Sequence, residues 1–270
     1  MGGLSKVGVI GAGKMAGALL KGWIGSGVIK SNQVLASVPK QDEALLEPFK
    51  QMGCNTTFDN KDVGEWSDTI LLGVKPGIVE IVAQDLIGNS KGDQLLVSIA
   101  AGLNTQTLQQ WFGPKFRVIR VMPNTAVEVG CGASVYATGS GATSEDCKNV
   151  ETLFYKVGKC WRVKEQDIDA ITGISGSGPA YMYLILEALT EEGVRQGLGP
   201  DLARNLAAQT MQGAGMMASI RHPSILRGEV TSPGGSTAEG VRALEKGGIR
   251  YIIMEAVAAT ARRCRQIGSL

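Results

Sequence analysis

The sequence predicts an α/β protein. Its first part is a mainly parallel sheet covered by helices, and its second part is helical throughout. Three observations carry this reading. Up to Val163, short apolar runs alternate with segments of helical character, the pattern of βαβ units. A Gly-rich turn, Gly11-Ala12-Gly13-Lys14-Met15-Ala16, joins the first run to the first helical segment. After Lys164 the strand signals stop, which sets two domains, 1–163 and 164–270.

Val7-Gly8-Val9-Ile10 is a short β-rich run, and 15–25 reads as the helix that follows it. Residues 33–38 form a second strand ended by Pro39, and 42–51 is helical. Residues 69–74 are a continuous apolar run, as expected of a strand buried on both faces, and Pro76 suits the first turn of a helix. Strands at 94–99 and 117–121 repeat the theme. Later strands at 134–138 and 159–163 bracket a helix over 144–157. In the second half, one helix runs 179–196, with Pro179 near its start and Gly197 past its end. Its stretch 182–186 is apolar all round and is expected to be buried on every side. A helix over 200–221, rich in small residues, closes at His222-Pro223. Ser236-Thr237-Ala238-Glu239 has the capping-box pattern and opens a helix to Lys246, and 249–266 is the last helix.

Composition removes several classes of function. With 44% hydrophobic and 19% charged residues the chain is not disordered overall, and its 37 glycines show no collagen period. The net charge is +2 with no basic run, which argues against nucleic acid as a partner. Five scattered cysteines without a CxxC fit a reduced, cytoplasmic chain. One histidine, His222, leaves no material for His-based metal sites or Ser-His-Asp triads, so no metal is expected. No apolar run reaches the roughly 18 residues of a membrane span. Gly2 lacks the Ser or Thr at position 6 that a myristoylation signal needs, since Lys6 stands there.

The turn at 11–16 follows a strand and opens a helix, the setting of a Rossmann-type dinucleotide-binding loop. Gly11 permits the tight turn, Gly13 lets a pyrophosphate approach the backbone, and Ala16 allows close packing of helix on strand. The phosphates then meet the positive end of the helix. An ordinary Gly-rich turn without ligand is the plainer alternative. NAD sites usually carry an acid at the end of the second strand. Positions 31–41 have none and offer Ser37 and Lys40, which favours NADPH over NADH while leaving NADH possible.

The helical half has two Gly-rich helix starts, Ser175-Gly176-Ser177-Gly178-Pro179-Ala180-Tyr181 and Ser232-Pro233-Gly234-Gly235-Ser236-Thr237. Such ends present backbone N–H groups that bind anions such as a carboxylate. Capped helix starts with no ligand are the alternative. With these two blocks, with the turn at 10–15, and with Val74-Lys75-Pro76, Ala100-Ala101-Gly102 and Met122-Pro123-Asn124-Thr125, the whole chain resembles the pyrroline-5-carboxylate reductase family. Two departures are small: Ala126 stands where many members have proline, and Ser236 where threonine or alanine is frequent.

The resemblance implies reduction of Δ1-pyrroline-5-carboxylate to L-proline by NAD(P)H, the last step of proline biosynthesis. It implies a homodimer with interlocked helical halves, built further into a decameric ring of five dimers. Gly11, Gly13, Lys14 and Met15 would hold the cofactor phosphates, and Ser37 and Asn60 would lie at its adenosine end. Val74, Lys75 and Pro76 would lie along its ribose, with Ala100 and Asn124 near the nicotinamide. The substrate would meet Ser175, Gly178, Ser232, Gly234, Gly235 and Ser236, with Thr237 facing the ring nitrogen as the catalytic residue. A cyclic imine needs no strong general acid, so the lack of a histidine cluster fits. His222 reads as a helix C-terminal cap or loop residue, Lys75 as a cofactor contact, and Tyr181 and Tyr183 as packing groups. A reductase of carbonyl acids and a non-catalytic NADP-binding protein remain the alternatives.

Overall fold

The computed structural model describes residues 5–268, and Gly2 lies outside them. Eight strands form one sheet in the order β3-β2-β1-β4-β5-β6-β7-β8. They are β1 (Val7–Ile10), β2 (Val34–Ser37), β3 (Asn55–Thr57), β4 (Thr69–Leu72), β5 (Leu95–Ser98), β6 (Arg117–Met122), β7 (Gly132–Thr138) and β8 (Gly158–Arg162). The pairing is parallel throughout except between β6 and β7. The link from Met122 to Gly132 is shorter than a parallel crossover needs, about a dozen residues, so the chain can only return antiparallel.

Side chains alternate between the two faces of the sheet, as a period of two requires. On β1, Val7 and Val9 join the cluster formed with Leu19, Leu20 and Trp23 of α1 (Lys14–Gly25) and Phe49 of α2 (Glu47–Gln51). Ile10 faces the other side, whose cluster includes Val63 of α3 (Asn60–Trp66), Leu86 of α4 (Val79–Leu86) and Leu108 of α5 (Thr105–Phe112). Helix α6 (Ser144–Tyr155), between β7 and β8, returns to the first face, where Phe154 meets Trp23 edge-on at 5.6 Å between centroids.

The 42–51 helix is not continuous. Lys40–Leu46 is 3₁₀ in character with Asp42 out of helical geometry, and α2 starts only at Glu47. Pro48 has no N–H for the carbonyl of Ala44, so an α-helix can begin there but not pass through. The short β3 and α3 lay in a stretch with no apolar periodicity and were not anticipated.

Strand β6 is pinned to α6 by charge. Arg117 Nε donates to Asp146 Oδ2 at 2.8 Å and Nη2 to Oδ1 at 3.2 Å. Asp146 closes a capping box with Thr143 at the start of α6 and is buried. Burial pushes its carboxyl pKa up, but Arg117 and the Thr143 donors outweigh that and hold it below the usual carboxylate range. A depressed folded value means the stability is present above the unfolded pKa, about 3.9. It is lost as pH falls through the folded value. Asp146→Asn is expected to lower unfolding free energy by about 1.5 kcal/mol at neutral pH. The gap from wild type in urea titrations should close below about pH 4 as wild type protonates. A gap that does not change with pH would show that the charge is irrelevant.

Two compact units are distinguishable. One runs to Gly176 and takes in the chain from Thr260 onward; the other is Ser177–Ala259. The first also contains α7 (Ile168–Ile171) and a π-helical turn, Thr172–Gly176. The second is built from α8 (Gly178–Arg195), α9 (Pro200–Ala218), α10 (Pro223–Val230), α11 (Ser236–Lys246) and the first part of α12 (Ile249–Gly268). Helix α9 ends at Ala218 rather than Arg221, because His222 begins a further helix. Its Nδ1 accepts from Ser224 N at 3.3 Å, so it caps the start of α10, with Pro223 in the first turn.

The 182–186 stretch is not buried within the chain: Met182, Tyr183 and Leu184 are 37%, 57% and 67% exposed. Helix α8 packs on α9, where Gly193 leaves 3.2 Å between an added Cβ and that of Ala203. A pair of helices can cover only one side of α8, and its remaining apolar faces stay open.

Candidate active site

In the first unit, chain order reverses between β1 and β4, the switch point at which open α/β sheets bind ligands. The turn after Ile10 stands there. Gly11 N donates to Ser37 O at 3.0 Å and Gly73 N to Ile10 O at 2.8 Å, so both ladders run one residue past the strands. Gly11 has φ +92°, and a Cβ on it would come within 2.7–2.8 Å of Val74 and the Gly73 backbone. Gly13 is the N-cap of α1 in extended geometry, with nothing within 4 Å of an added Cβ. Helix α1 has no side-chain cap and no acid in its first turn, and Lys14 is its first residue. A cation at the positive end of a helix is unfavourable by itself. Orphan amides, an open glycine and that lysine fit a dinucleotide diphosphate. A cavity of about 660 Å³ opens alongside, lined by Gly13, Lys14, Lys21, Phe49 and Glu128 among others.

At the end of β2, Ser37 is fully buried and its hydroxyl donates to Asn60 Oδ1 at 2.8 Å. Asn60, the first residue of α3, donates through Nδ2 to Asp85 Oδ2 at 2.8 Å. Lys40 is exposed, as is Lys75 at the turn after β4, where Pro76 begins a 3₁₀ turn and Val74 packs on the core. Ala100 is buried, its N–H reaching Ser98 Oγ at 3.3 Å. Asn124 uses both ends of its amide. Its Oδ1 accepts from Ala126 N and Ala133 N at 3.3 and 3.1 Å, and its Nδ2 donates to Ser175 O at 3.1 Å. Asn124 thereby ties the end of β6 to the π-turn. Met15 is partly buried against the core.

Sequence reasoning missed two features here. Buried Arg120 on β6 pairs with Glu165, which also accepts from Thr105 N at the start of α5 at 3.3 Å. An arginine inside the run Arg117–Met122 was a signal that a carboxylate must face it. Asp85 had no signal, since it lies on an ordinary helix face.

The block at 175–181 does not form one helix start. Ser175 belongs to the π-turn and the first unit, where its Oγ donates to Ile171 O at 3.3 Å, whereas Gly178 opens α8 in the second. The block at 232–237 is a single built feature of the second unit. Gly235 N donates to Ser232 O at 3.1 Å across a turn with Pro233 second and Gly234 third, at φ +71°, as a type II turn prefers. Gly235, not Ser236, is the N-cap of α11: its carbonyl accepts from Ala238 N and Glu239 N, and Glu239 pairs with Arg242 instead of closing a capping box. The helix therefore starts one residue earlier than the capping box places it. Ser236 and Thr237 occupy its first turn, exposed, and neither hydroxyl has a partner among the described residues. Leading amides of this kind lack intrahelical acceptors. No group of three or more His, Cys, Asp or Glu able to hold a metal occurs among the described residues, nor a helix long and apolar enough to cross a membrane.

Two family models match. One, for pyrroline-5-carboxylate reductase dimerisation, covers residues 165–267; the other, for NADP oxidoreductase, coenzyme F420-dependent, covers 6–102. A pyrroline-5-carboxylate reductase of Pisum sativum is 46% identical over 97% of this chain and 95% of its own. The chain belongs to the pyrroline-5-carboxylate reductase family. Pyrroline-5-carboxylate reductase 2 of Homo sapiens is 40% identical over 98% of this chain and 84% of its own. The crystal structure of a Plasmodium falciparum pyrroline carboxylate reductase with NADP bound superposes with a TM-score of 0.89. It shares 33% identity over 98% of this chain and all of that one. As in its relatives, the chain is an oxidoreductase with a Rossmann-type NAD(P)-binding part and the family's dimerisation part.

Proposed function

We propose that this chain reduces Δ1-pyrroline-5-carboxylate to L-proline with a hydride from NADPH, NADH serving less well. The observation that carries the proposal is the helix start at Ser232-Thr237, with amides for a carboxylate and two hydroxyls that have no partner among the described residues, in a chain that also holds a dinucleotide cradle. Residues 1–163 are assigned to the cofactor, and 164–270 to the substrate and to self-association. Gly11, Gly13, Lys14 and Met15 take the diphosphate, Ser37 and Asn60 the adenosine end, and Val74, Lys75 and Pro76 the ribose. Ala100 and Asn124 border the nicotinamide, and Asn124 keeps that border in place through Ser175. Bound there, the dihydronicotinamide supplies the hydride.

The substrate's imine nitrogen is basic enough to take its proton from water, so no residue need be a strong acid. The chain's task is orientation, which can supply several kcal/mol. The amides at Gly234, Gly235 and Ser236 hold the carboxylate, with Gly178 and Ser232 of the same unit assigned to the substrate as well. Thr237 Oγ stays hydrogen-bonded to the ring nitrogen as its positive charge disappears. The deciding assay follows NADPH absorbance on addition of pyrroline-5-carboxylate. Oxidation with this imine, none with 2-keto acids, and a larger kcat/KM for NADPH than for NADH are expected. A severalfold preference for NADH would overturn the reading of the acid-free end of β2.

The uncovered faces of α8 and α9, together with the dimerisation match, support self-association, and we extend this to a decameric ring in the cytoplasm. Light scattering at micromolar concentration should give a mass of at least twice the 28.4 kDa of one chain. A monomer would refute the assignment.

A further inference from the structure

The hydrogen bonds at the end of β2 form a chain with a defined polarity. Ser37 Oγ donates to Asn60 Oδ1, and Asn60 Nδ2 donates to Asp85 Oδ2, both at 2.8 Å. Ser37 cannot decide which way the Asn60 amide faces, because a hydroxyl donates or accepts equally well. The next acceptor in reach of Ser37, Val9 O, lies at 3.5 Å and competes poorly. Asp85 can decide it, because a carboxylate only accepts. Turning the amide over would set its oxygen against the carboxylate and lose the bond. Asp85 sits on α4 and is anchored there through its own backbone, whose carbonyl accepts from Asn89 Nδ2 at 2.9 Å. No ion pair with a lysine or arginine is formed by Asp85 among the described residues, so its charge is directed at Asn60.

We propose that Asp85 is a positioning residue of the cofactor site, locking the Asn60 amide in the one orientation that presents its second N–H to the adenosine ribose or its phosphate. This rests on the reading that places the adenosine end of the cofactor at Ser37 and Asn60. Asp85 touches neither cofactor nor substrate; it acts through Asn60. An amide at position 85 would keep the size and one hydrogen bond, but it can donate or accept. Asp85→Asn therefore removes the orientation and little else.

The test uses the full-length enzyme and initial rates with NADPH and pyrroline-5-carboxylate. Asp85→Asn should raise the KM for NADPH by about threefold to tenfold, with kcat within about twofold and the KM for the imine unchanged, the pattern of lost cofactor binding without lost chemistry. Asn60→Ala should raise the same KM at least as much. In the Asn60→Ala background, Asp85→Asn should add nothing, because groups acting through one another are not additive. If the two effects multiply, or if Asp85→Asn lowers thermal stability while the NADPH KM stays put, Asp85 is merely structural and the proposal fails. If Asn60→Ala leaves the NADPH KM unchanged, the placement of the adenosine end fails first, and the proposal with it.

Discussion

Thr237→Ala is expected to lower kcat tenfold to a hundredfold, roughly 1.4 to 2.7 kcal/mol in the barrier, with NADPH affinity unchanged. The side chain lies in the first turn of α11, exposed, and its hydroxyl has no partner within the described chain. Its removal therefore leaves no buried group unsatisfied, and alanine is the better helix former. Any loss belongs to the ligand, at an atom whose charge changes during reaction. Thr237→Ser keeps the hydroxyl and should recover much of the activity. His222→Asn is the control. His222 caps α10 through Nδ1, asparagine caps as well, and activity should stay within a few fold. A fully active Thr237→Ala beside a dead His222→Asn would remove the chemistry from α11 altogether.

The centre of the sheet was legible because its strands are buried on both faces. Runs such as Thr69–Leu72 and Leu95–Ser98 are wholly apolar or small, and a buried parallel strand reads as a continuous run. The elements that escaped notice are short, among them α5, α7 and α10 as well as β3 and α3. Strand β3 is three residues of Asn and Thr, and α3 holds its place mainly by packing Val63 and Gly64, too little to set a period. The glycine turns were legible because positive φ is written in the sequence as glycine, as at Gly11 and Gly234. Polar contacts between distant segments were not. Arg120 with Glu165, Asn124 with Ser175 and Asn60 with Asp85 each join residues 25 to 51 positions apart, and no local pattern encodes such pairs. The apolar middle of α8 was read as buried from composition alone. In the single chain it is exposed, and the self-association proposed above would cover it.

The two glycines of the phosphate loop are expected to fail in opposite ways. Gly11→Ala should destabilise the fold. The residue has φ +92°, and its Cβ would meet Val74 and the Gly73 backbone at 2.7–2.8 Å, atoms of the turn just after β4 that the bond from Gly73 N to Ile10 O holds against β1. Left-handed strain and overpacking together cost roughly 2 to 5 kcal/mol, a clear fall in thermal midpoint and in urea resistance. Gly13→Val should cost far less, about 1 kcal/mol at most, because valine caps a helix less well than glycine. Its backbone is extended at φ −74° and ψ 177°, which valine adopts readily, and nothing lies within 4 Å of the new Cβ. The bond from Gly17 N to its carbonyl, 2.9 Å, needs no change. The branched side chain instead fills the space over the first turn of α1 where the diphosphate must approach the amides. The Kd for NADPH should rise at least tenfold, about 1.4 kcal/mol, by fluorescence titration of the folded variant. Nothing among the described residues lies within 4 Å of that Cβ, and this is the space the proposed diphosphate would take. Unchanged NADPH affinity in a folded Gly13→Val would remove the diphosphate from this helix end.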